Sequence, residues 1–355
     1  MESFNEKSTI NQVAKLAGVS KTTISRYLNE KYEFMSSETR LKIEKVIEEF
    51  GYRPSNIARS LKAETSKTIG CVIADITNPI SSITVMGIND ICAANGYNVL
   101  FANTYDDPIV ELDCIRSFLD NRVDGLIINS TGYNDEYLVE LREKGLPIVM
   151  IDRWSNGGLK LDCVTTENYQ STYNCIAHLH KKGYKKVAFF NNGFKKVTNR
   201  LSRKEAYIKA MNDLYGMDGS KYIYEIEETD IRRFYNSDSV GSDKTIKSLR
   251  RFFSENPESP KAIFAVNAVT LLNTLRVMYE IGYNNFPEIG ICGFNDWGWA
   301  SLVGPGITTI TQDAYAIGVE ATQLIFNRIK EKGVNDTVLI EIPNKLVERG
   351  STDLK

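Results

Sequence analysis

Several features that mark membrane, secreted and redox proteins are missing from this 355-residue sequence. No stretch of about 18 apolar residues occurs, so we expect no transmembrane helix. The first residues, Met1–Lys7, contain no apolar segment, and we therefore expect no secretory signal. The six cysteines show no Cys-x-x-Cys spacing, which favours buried, reduced thiols. Together these absences predict a cytoplasmic protein.

A charge excess and a catalytic set are missing as well. The net charge is −2, which does not indicate nucleic acid, although a small basic surface can belong to a larger acidic chain. There is no P-loop, no GxGxxG after a strand and no GxSxG. The two histidines, His178 and His180, are two apart on a predicted helix and face different directions, which favours a surface pair. We therefore expect no enzyme activity, no cofactor and no metal.

The features that are present begin with three short predicted helices near the N-terminus. Apolar residues of the first helix recur at helical spacing: Ile10, Val13, Ala14 and Ala17. Thr9 stands three residues before Gln12, which predicts a capping box at the start of this helix. Gly18 is placed to end it.

The second predicted helix has two dissimilar faces. Its inward stripe consists of Ile24, Tyr27 and Leu28. Its outward face carries hydrogen-bonding side chains: Lys21, Thr22, Ser25, Arg26 and Asn29. A third helix near Ser36 and Ser37 is expected to bury Ile43, Val46, Ile47 and Phe50. Helix-turn-helix geometry would place the second helix in a DNA major groove, whereas an ordinary surface helix would expose the same face to water.

From Thr68 onward, short apolar runs alternate with helical stretches. The strand candidates are Ile69–Ala74, Asn98–Ala102, Gly125–Asn129, Ile148–Asp152, Val187–Asn191, Ala262–Val266 and Ile289–Gly293. This alternation is typical of βαβ units with parallel sheets. So many strands over about 285 residues favour two lobes rather than one sheet.

Both parts resemble one known family. The segments Ser8–Asn29, Ser37–Arg40 and Gly51–Leu61 closely resemble the DNA-binding head of the lactose/galactose repressor (LacI/GalR) family. Motifs of the body resemble that family and the related periplasmic sugar-binding proteins: Ile69-Gly70, Thr77–Pro79, Val123–Ile127, Pro147–Arg153 and Gly293–Asp296. The resemblance runs nearly end to end, and Asn56–Asp107 also resembles regulators of ketodeoxygluconate use.

The resemblance implies a domain organisation and a mechanism. Residues 1–54 would form an all-α helix-turn-helix head, 55–66 a hinge helix and linker, and 67–355 an α/β body like the periplasmic binding proteins. The two lobes of the body would comprise about 67–166 with 311–341, and about 167–310 with 342–355. The heads of a homodimer would read a near-palindromic operator, and an effector in the cleft would shift the lobes and hinges. Val347–Lys355 lacks leucine heptads, which favours a dimer over a tetramer.

Matched position by position, the resemblance also implies DNA contacts. Lys21, Thr22 and Arg26 would meet base edges. Thr9, Ser20, Ser25 and Asn29 would hold the DNA backbone, or bases through water. In the hinge helix the implied contacts are Asn56, Ala58 and Leu61, with Leu61 wedged into the minor groove. Such a short helix is marginal alone, so its order would depend on DNA and a partner hinge.

The same matching implies ligand contacts in the cleft: Ser81, Asp152, Arg203, Asn267, Asn295 and Gln312. A ring of planar donors and acceptors suits a polyhydroxylated ligand, although each residue could instead be a turn residue at a strand end. Where many relatives carry aromatic side chains after Asn78-Pro79, this chain has Ile80, Ser81 and Ser82. The flat apolar face that purines need is therefore not expected.

Two departures from the family pattern bear on ligand charge. Ala268 stands where relatives often carry aspartate, and Asn295 stands where a carboxylate is common. Basic residues cluster nearby in sequence: Lys195, Lys196, Arg200 and Arg203. We therefore hypothesise an acidic sugar, such as a keto-deoxy sugar acid, a hexonate or a uronate. The alternatives are a neutral sugar with solvated surface lysines, a corepressor rather than an inducer, and, as another class, a sugar-binding receptor.

Overall fold

The computed structural model describes residues 9–52, 65–227, 243–257, 260–283, 285–331 and 336–354. The chain separates between Ser66 and Lys67 into two compact units, and each is described by itself. Among the described helices, none combines the length and the apolarity that crossing a membrane requires.

The first unit is a small helical domain. Its elements are α1 (Ile10–Ala17), α2 (Lys21–Leu28), a short 3₁₀ helix (Tyr32–Phe34) and α3 (Ser37–Glu49). The expected capping box is present, because the Thr9 hydroxyl accepts from the Gln12 N–H and the Gln12 side chain accepts from the Thr9 N–H. Gly18 ends α1 at a φ of 63°. The buried core consists of Val13, Ala14, Ala17, Ile24, Ile43 and Tyr52.

The end of α3 differs from the sequence-based prediction. Phe50 was expected to be buried, but it is 50% exposed. Helix α3 ends at Glu49, so Phe50 is the C-cap and the chain turns there. The aromatic ring of Tyr52 lies in the core instead, packed with the buried Ile43. The helical spacing of apolar residues in the sequence includes Phe50, but this residue lies beyond the last residue of α3.

The second unit contains two six-stranded sheets. The strands of the first are β1 (Thr68–Ile73), β2 (Asn98–Asn103), β3 (Gly125–Ile128), β4 (Ile148–Ile151), β5 (Asp162–Thr166) and β11 (Leu339–Ile342). The strands of the second are β6 (Lys186–Asn191), β7 (Ile223–Glu225), β8 (Lys261–Ala265), β9 (Ile289–Phe294), β10 (Thr308–Thr311) and β12 (Lys345–Val347). The orders are β11-β5-β4-β3-β1-β2 and β12-β10-β9-β8-β6-β7. All pairings are parallel except the antiparallel pair β10–β12.

Helices cover both faces of each sheet. Those of the first sheet are α4 (Pro79–Ala94), α5 (Pro108–Asp120), α6 (Asp135–Glu143) and α11 (Ala314–Lys330). Those of the second are α7 (Asn168–Lys181), α8 (Thr198–Tyr215), α9 (Asp243–Glu255) and α10 (Ala268–Glu280). One apolar core lies on each face: α4 and α11 share one and α5 and α6 share another, while α9 and α10 share a third and α7 and α8 a fourth. The predicted α/β class with parallel sheets is confirmed.

We call the first sheet with its helices the N-lobe, and the second the C-lobe. The chain passes between them three times, after β5, after β10 and after β11. All seven predicted strands are present, each with ends within one residue of the expected ones. Five strands were not predicted: β5, β7, β10, β11 and β12.

One histidine was misplaced by the sequence-based prediction of a surface pair. His180 is exposed, but His178 is 8% exposed. The His178 Nε2 atom lies 3.0 Å from the Thr352 hydroxyl, and its Nδ1 lies 3.5 Å from a Glu348 carboxylate oxygen. The C-terminal segment covers this face of α7, which helical spacing alone could not reveal.

Candidate ligand cleft and DNA-reading helix

A cavity of about 380 Å³ lies between the N-lobe and the C-lobe. This volume falls within the range of small-molecule sites. All six residues predicted to contact a ligand line it: Ser81, Asp152, Arg203, Asn267, Asn295 and Gln312. Four of them lie at strand ends. Asp152, Asn295 and Gln312 directly follow β4, β9 and β10, and Asn267 comes shortly after β8. Open α/β sheets bind ligands at this edge, because the carboxyl ends of parallel strands converge there.

The Asp152 carboxylate is held by amides from both lobes. Its Oδ2 atom accepts from Asn199 Nδ2 at 2.8 Å and from Asn129 Nδ2 at 3.4 Å. Asn129 follows β3 in the N-lobe, whereas Asn199 lies in the first turn of α8 in the C-lobe. Because a carboxylate only accepts, it also sets the orientation of both amides and turns their oxygens away from it. The backbone of Asp152 is left-handed, with a φ of 65°.

Arg203 is the most deeply buried cation of the lining, with 2% of its surface exposed. Its Nε donates to Asn168 Oδ1 and its Nη1 donates to the Val266 carbonyl, both at 2.8 Å. Its guanidinium lies 3.5 Å from the centroid of the Phe294 ring. Burial lowers the pKa of Arg203 to about 9, against the opposing charge of Asp152. In the described part of the chain, no carboxylate lies within ion-pairing distance of this guanidinium.

A second buried arginine is already neutralised. Arg153 donates from Nη1 to Asp106 Oδ1 at 2.6 Å and from Nη2 to Asp106 Oδ2 at 3.3 Å, and it also bonds the Ser130 carbonyl. Burial alone would raise the pKa of Asp106, but the charge and hydrogen bonds of Arg153 outweigh it and hold that pKa below its usual value. Arg153 and Asp106 are therefore a closed pair in the cavity wall.

The described residues of the cavity wall carry a small excess of basic side chains. Its basic side chains are Arg153, Lys195, Arg200 and Arg203. Its carboxylates are Asp75, Asp106 and Asp152. Counted over these described residues alone, four cations against three carboxylates give a formal charge of +1. Lys196, the fourth member of the basic cluster seen in the sequence, is not among the lining residues, and its ammonium lies 4.7 Å from the centroid of the Tyr133 ring.

Six polar atoms of the cavity wall are buried and make no hydrogen bond within the described residues. Three are acceptors: the side-chain oxygens of Asn129, Asn199 and Asn295. Three are donors: Arg153 Nε, Trp297 Nε1 and Gln312 Nε2. Buried polar atoms without partners are rare and costly in folded proteins. Because a hydroxyl group both donates and accepts, a polyhydroxylated molecule could satisfy this mixed set.

Two other predicted ligand contacts, Asn267 and Ser81, also line the cavity, but in different settings. Asn267 already uses both ends of its amide, since Oδ1 accepts from the Thr270 N–H at 2.8 Å and Nδ2 donates to Asn192 at 3.2 Å. It therefore lines the cavity mainly as the N-cap of α10. Ser81 is half-buried in the first turn of α4.

Sequence reasoning missed several lining residues. Asn129 ends one predicted strand and Asn192 directly follows another, so a search for polar residues at the carboxyl ends of the predicted strands could have found them. Tyr105 and Trp297 add aromatic surface, which was sought only after Asn78-Pro79. No local signal marked Asp106, because its role depends on Arg153, which is 47 residues away.

Outside the cavity, the two lobes touch along one rim of the cleft. The Asn156 amide of the N-lobe donates to the Lys196 carbonyl of the C-lobe at 3.2 Å. The Thr198 hydroxyl accepts from the Trp154 N–H at 3.0 Å and donates to the Trp154 carbonyl at 3.1 Å. Gly132 lies so close that a Cβ placed there would be 2.8 Å from the Lys196 carbonyl oxygen. We call this set the rim contact.

In the first unit, α2 together with its two cap residues carries six of the ten residues predicted to contact DNA. Lys21, Thr22, Arg26 and Asn29 are exposed, and Ser25 is half-buried. The side chains of Thr9 and Ser20 cap helices, and the Asn29 amide donates to the Ser25 carbonyl at 2.7 Å. The Arg26 guanidinium lies 5.1 Å from the centroid of the Phe34 ring. The predicted hinge contacts Asn56, Ala58 and Leu61 lie outside the described residues.

Comparisons with known proteins match both units. The family described as "Bacterial regulatory proteins, lacI family" matches residues 9–55, and the "Periplasmic binding protein-like domain" matches residues 176–352. The chain is 37% identical to the HTH-type transcriptional regulator KdgR of Bacillus subtilis, over 97% of both chains. It is 31% identical to the HTH-type transcriptional regulator PtxS of Pseudomonas putida, over 98% of this chain and 96% of PtxS.

Solved structures share the whole architecture. The lac repressor dimer bound to operator and the anti-inducer ONPF has a TM-score of 0.78 at 22% identity, covering 98% of this chain and 99% of the other. The transcriptional regulator CelR in its cellobiose complex has a TM-score of 0.68 at 22% identity, covering 97% and 99%. These likenesses show the fold.

Proposed function

Since the chain belongs to the LacI family of bacterial regulatory proteins, and is therefore a DNA-binding transcription regulator, we propose that a sugar acid bound in the cleft controls its binding to operator DNA. The similarity to KdgR supports the ketodeoxygluconate-regulator-like subgroup that the sequence resembles. The curated relatives named above are regulators rather than enzymes.

One observation carries the assignment of an acidic ligand. Arg203 is buried in the cavity wall, and the described residues offer its guanidinium no carboxylate within ion-pairing distance. A buried cation without a counter-charge costs several kcal/mol, by order of magnitude. A ligand carboxylate would supply that charge, and the planar guanidinium is suited to bind it. The other buried arginine, Arg153, already has Asp106 as its partner.

The rest of the cavity supports a ligand that also carries hydroxyl groups. The unpaired oxygens of Asn129, Asn199 and Asn295 accept, while the unpaired nitrogens of Trp297 and Gln312 donate. A site built around hydroxyls rejects analogues that lack them, because its own buried groups would then stay unpaired. A hexonate, a uronate or a keto-deoxy sugar acid combines both requirements.

The DNA-binding part of the proposal follows the family. Two copies of the chain would form a homodimer whose heads read the two halves of a near-palindromic operator, with Lys21, Thr22 and Arg26 at base edges. Their exposure on α2 supports this arrangement. The chain would act as a repressor in the cytoplasm, where its DNA is. The effector would bias the lobes toward one arrangement and so change operator affinity.

The test is calorimetric titration of the full chain with gluconate, galacturonate, ketodeoxygluconate and glucose. At least one acid should bind, and its affinity should fall by about 30-fold or more in Arg203→Met, because removing one partner of a buried charge pair costs about 2–5 kcal/mol. Lys204→Met is the matched control, since it removes a positive charge from the next position of α8 but does not line the cavity. Thermal melting would verify that both variants are folded.

Two results would count against the proposal. Binding of glucose but of none of the acids would show that the ligand is a neutral sugar. An acid that binds Arg203→Met and Lys204→Met equally well would show that Arg203 does not receive the carboxylate.

A further inference from the structure

Phe34 is an unusual surface residue of the first unit. It is 64% exposed, although a phenylalanine ring gains by burial. It ends the 3₁₀ helix that follows α2, and its ring lies beneath the guanidinium of Arg26, 5.1 Å from centroid to Cζ. We propose that Phe34 is a positioning residue that holds Arg26 in the orientation in which it reads a base. This inference rests on the proposed contact between Arg26 and a base edge.

An aromatic partner such as Phe34 leaves the N–H donors of Arg26 available to bond DNA. In the described part of the chain, no carboxylate lies within ion-pairing distance of Arg26. A carboxylate would occupy the same N–H donors that must bond guanine O6 and N7. An aromatic face contacts the plane of the guanidinium and leaves the edge donors free. Phe34 can therefore restrict a long, flexible side chain without competing with DNA.

The backbone that carries Phe34 is itself held in place. The neighbouring Tyr32 packs edge-on against Tyr27 of α2, with ring centroids 5.8 Å apart. The Arg40 guanidinium of α3 lies 4.0 Å from the centroid of the Tyr32 ring. The Met35 N–H donates to the Tyr32 carbonyl at 3.0 Å and closes the turn. The 3₁₀ helix is thus tied to both α2 and α3, so the ring of Phe34 is presented from a fixed position.

The test measures base preference as well as affinity. A DNA site selected from a random pool is bound by the full chain at fixed salt and followed by fluorescence anisotropy. Each base pair of the site is then changed in turn. Arg26→Ala identifies the base pair that Arg26 reads, because the preference there is lost. Phe34→Ala should weaken that same preference about two- to fivefold, the range expected for an exposed cation–π contact.

Matched variants separate positioning from other roles. Phe34→Tyr keeps an aromatic face and should restore the preference, whereas Phe34→Leu keeps an apolar side chain and should not. Leu41→Ala truncates another exposed apolar residue of the same unit (66% exposed) and should leave the preference unchanged. In the Arg26→Ala background, Phe34→Ala should have no further effect, because coupled residues are not additive.

Three outcomes would overturn the inference, and they are distinguishable. If Phe34→Ala weakens all DNA sites equally, and does so in the Arg26→Ala background too, then Phe34 contacts DNA itself. If Arg26→Ala changes no base preference, the proposed reading role of Arg26 is wrong and the positioning role falls with it. If Arg26→Ala abolishes a preference that Phe34→Ala leaves intact, Arg26 reads DNA without help from Phe34.

Discussion

Substituting Gly132 with alanine should weaken ligand binding without touching the ligand. Gly132 belongs to the N-lobe and is not a cavity-lining residue. A Cβ at this position would lie 2.8 Å from the Lys196 carbonyl oxygen of the C-lobe, closer than real Cβ atoms approach, and would also meet the Asn156 amide. Separation of the lobes relieves the clash with the Lys196 carbonyl, which therefore penalises the closed arrangement, whereas the clash with Asn156 lies within the N-lobe and is present in either arrangement.

Two separate costs contribute to the expected effect. The first is backbone strain, because Gly132 has a φ of +79°, and alanine loses roughly 1–2 kcal/mol in a left-handed conformation. This strain and the clash with Asn156 are present whether the cleft is open or closed, so they lower the free energy of unfolding but not ligand affinity. The second cost is the contact across the rim, for which overpacking typically costs about 1–3 kcal/mol. If only the closed arrangement bears this cost, ligand affinity should fall by about 5- to 150-fold.

Gly157 provides a matched control for the backbone strain. It has the same φ of +79°, but a Cβ there would meet no atom within 4 Å. We expect both Gly132→Ala and Gly157→Ala to lower the melting temperature, and only Gly132→Ala to weaken binding of the sugar acid in calorimetry. Equal affinities for the two variants would refute the reasoning, because they would show that the rim contact does not depend on closure of the cleft.

Two further predictions concern charge. If the proposed sugar acid binds at Arg203, Asn295→Asp would place a second carboxylate near the ligand's own, and calorimetry should show an affinity at least about tenfold lower, while the exposed control Asn174→Asp should not change it. An unchanged affinity in Asn295→Asp would mean that the ligand carboxylate lies elsewhere. Burial lowers the pKa of His178, although the charge of Glu348 opposes the shift. The imidazole therefore binds a proton more readily in the unfolded chain than in the folded one, and the free energy of unfolding falls as the pH drops below about 6.5. Melting temperatures at about pH 7.5 and 5.5 should therefore differ less in His178→Gln than in the native chain, and an equal difference would assign the pH dependence to other groups.

The extent to which the sequence predicts this fold depends on the kind of strand. Strands such as β4 and β8 are short apolar runs, and all of the predicted strands were of this type. The missed β5 and β10 are just as buried but rich in threonine. Their hydroxyls bond groups far along the chain: Thr165 donates to the Asp152 carbonyl, and the hydroxyl of Thr308 lies 2.6 Å from that of Thr352. Burial of a polar strand therefore depends on partners that no local pattern contains.

The same distinction applies to the cleft. The resemblance to the family implied Asp152, Asn295 and Gln312 by matched position, and the structure places all three in the cavity wall at the carboxyl ends of strands. Whether such a residue is available to a ligand is decided by neighbours from other parts of the chain. The Asn267 amide nitrogen, for example, donates to Asn192, which is 75 residues away in the sequence.

Asp152 bears both on closure of the cleft and on recognition of a charged ligand. Its carboxylate bonds Asn199 across the lobes, so it contributes to the same closed arrangement as the rim contact. The amides of Asn129 and Asn199 hold this carboxylate, and among the described residues it makes no ion pair with Arg203, whose guanidinium could therefore bind an anionic ligand. A ligand changes the balance between arrangements only through contacts that differ between them. An acid that bonds both Arg203 in the C-lobe and Asn129 in the N-lobe would meet that condition, because the two residues line one cavity from opposite lobes and separate when the lobes move apart.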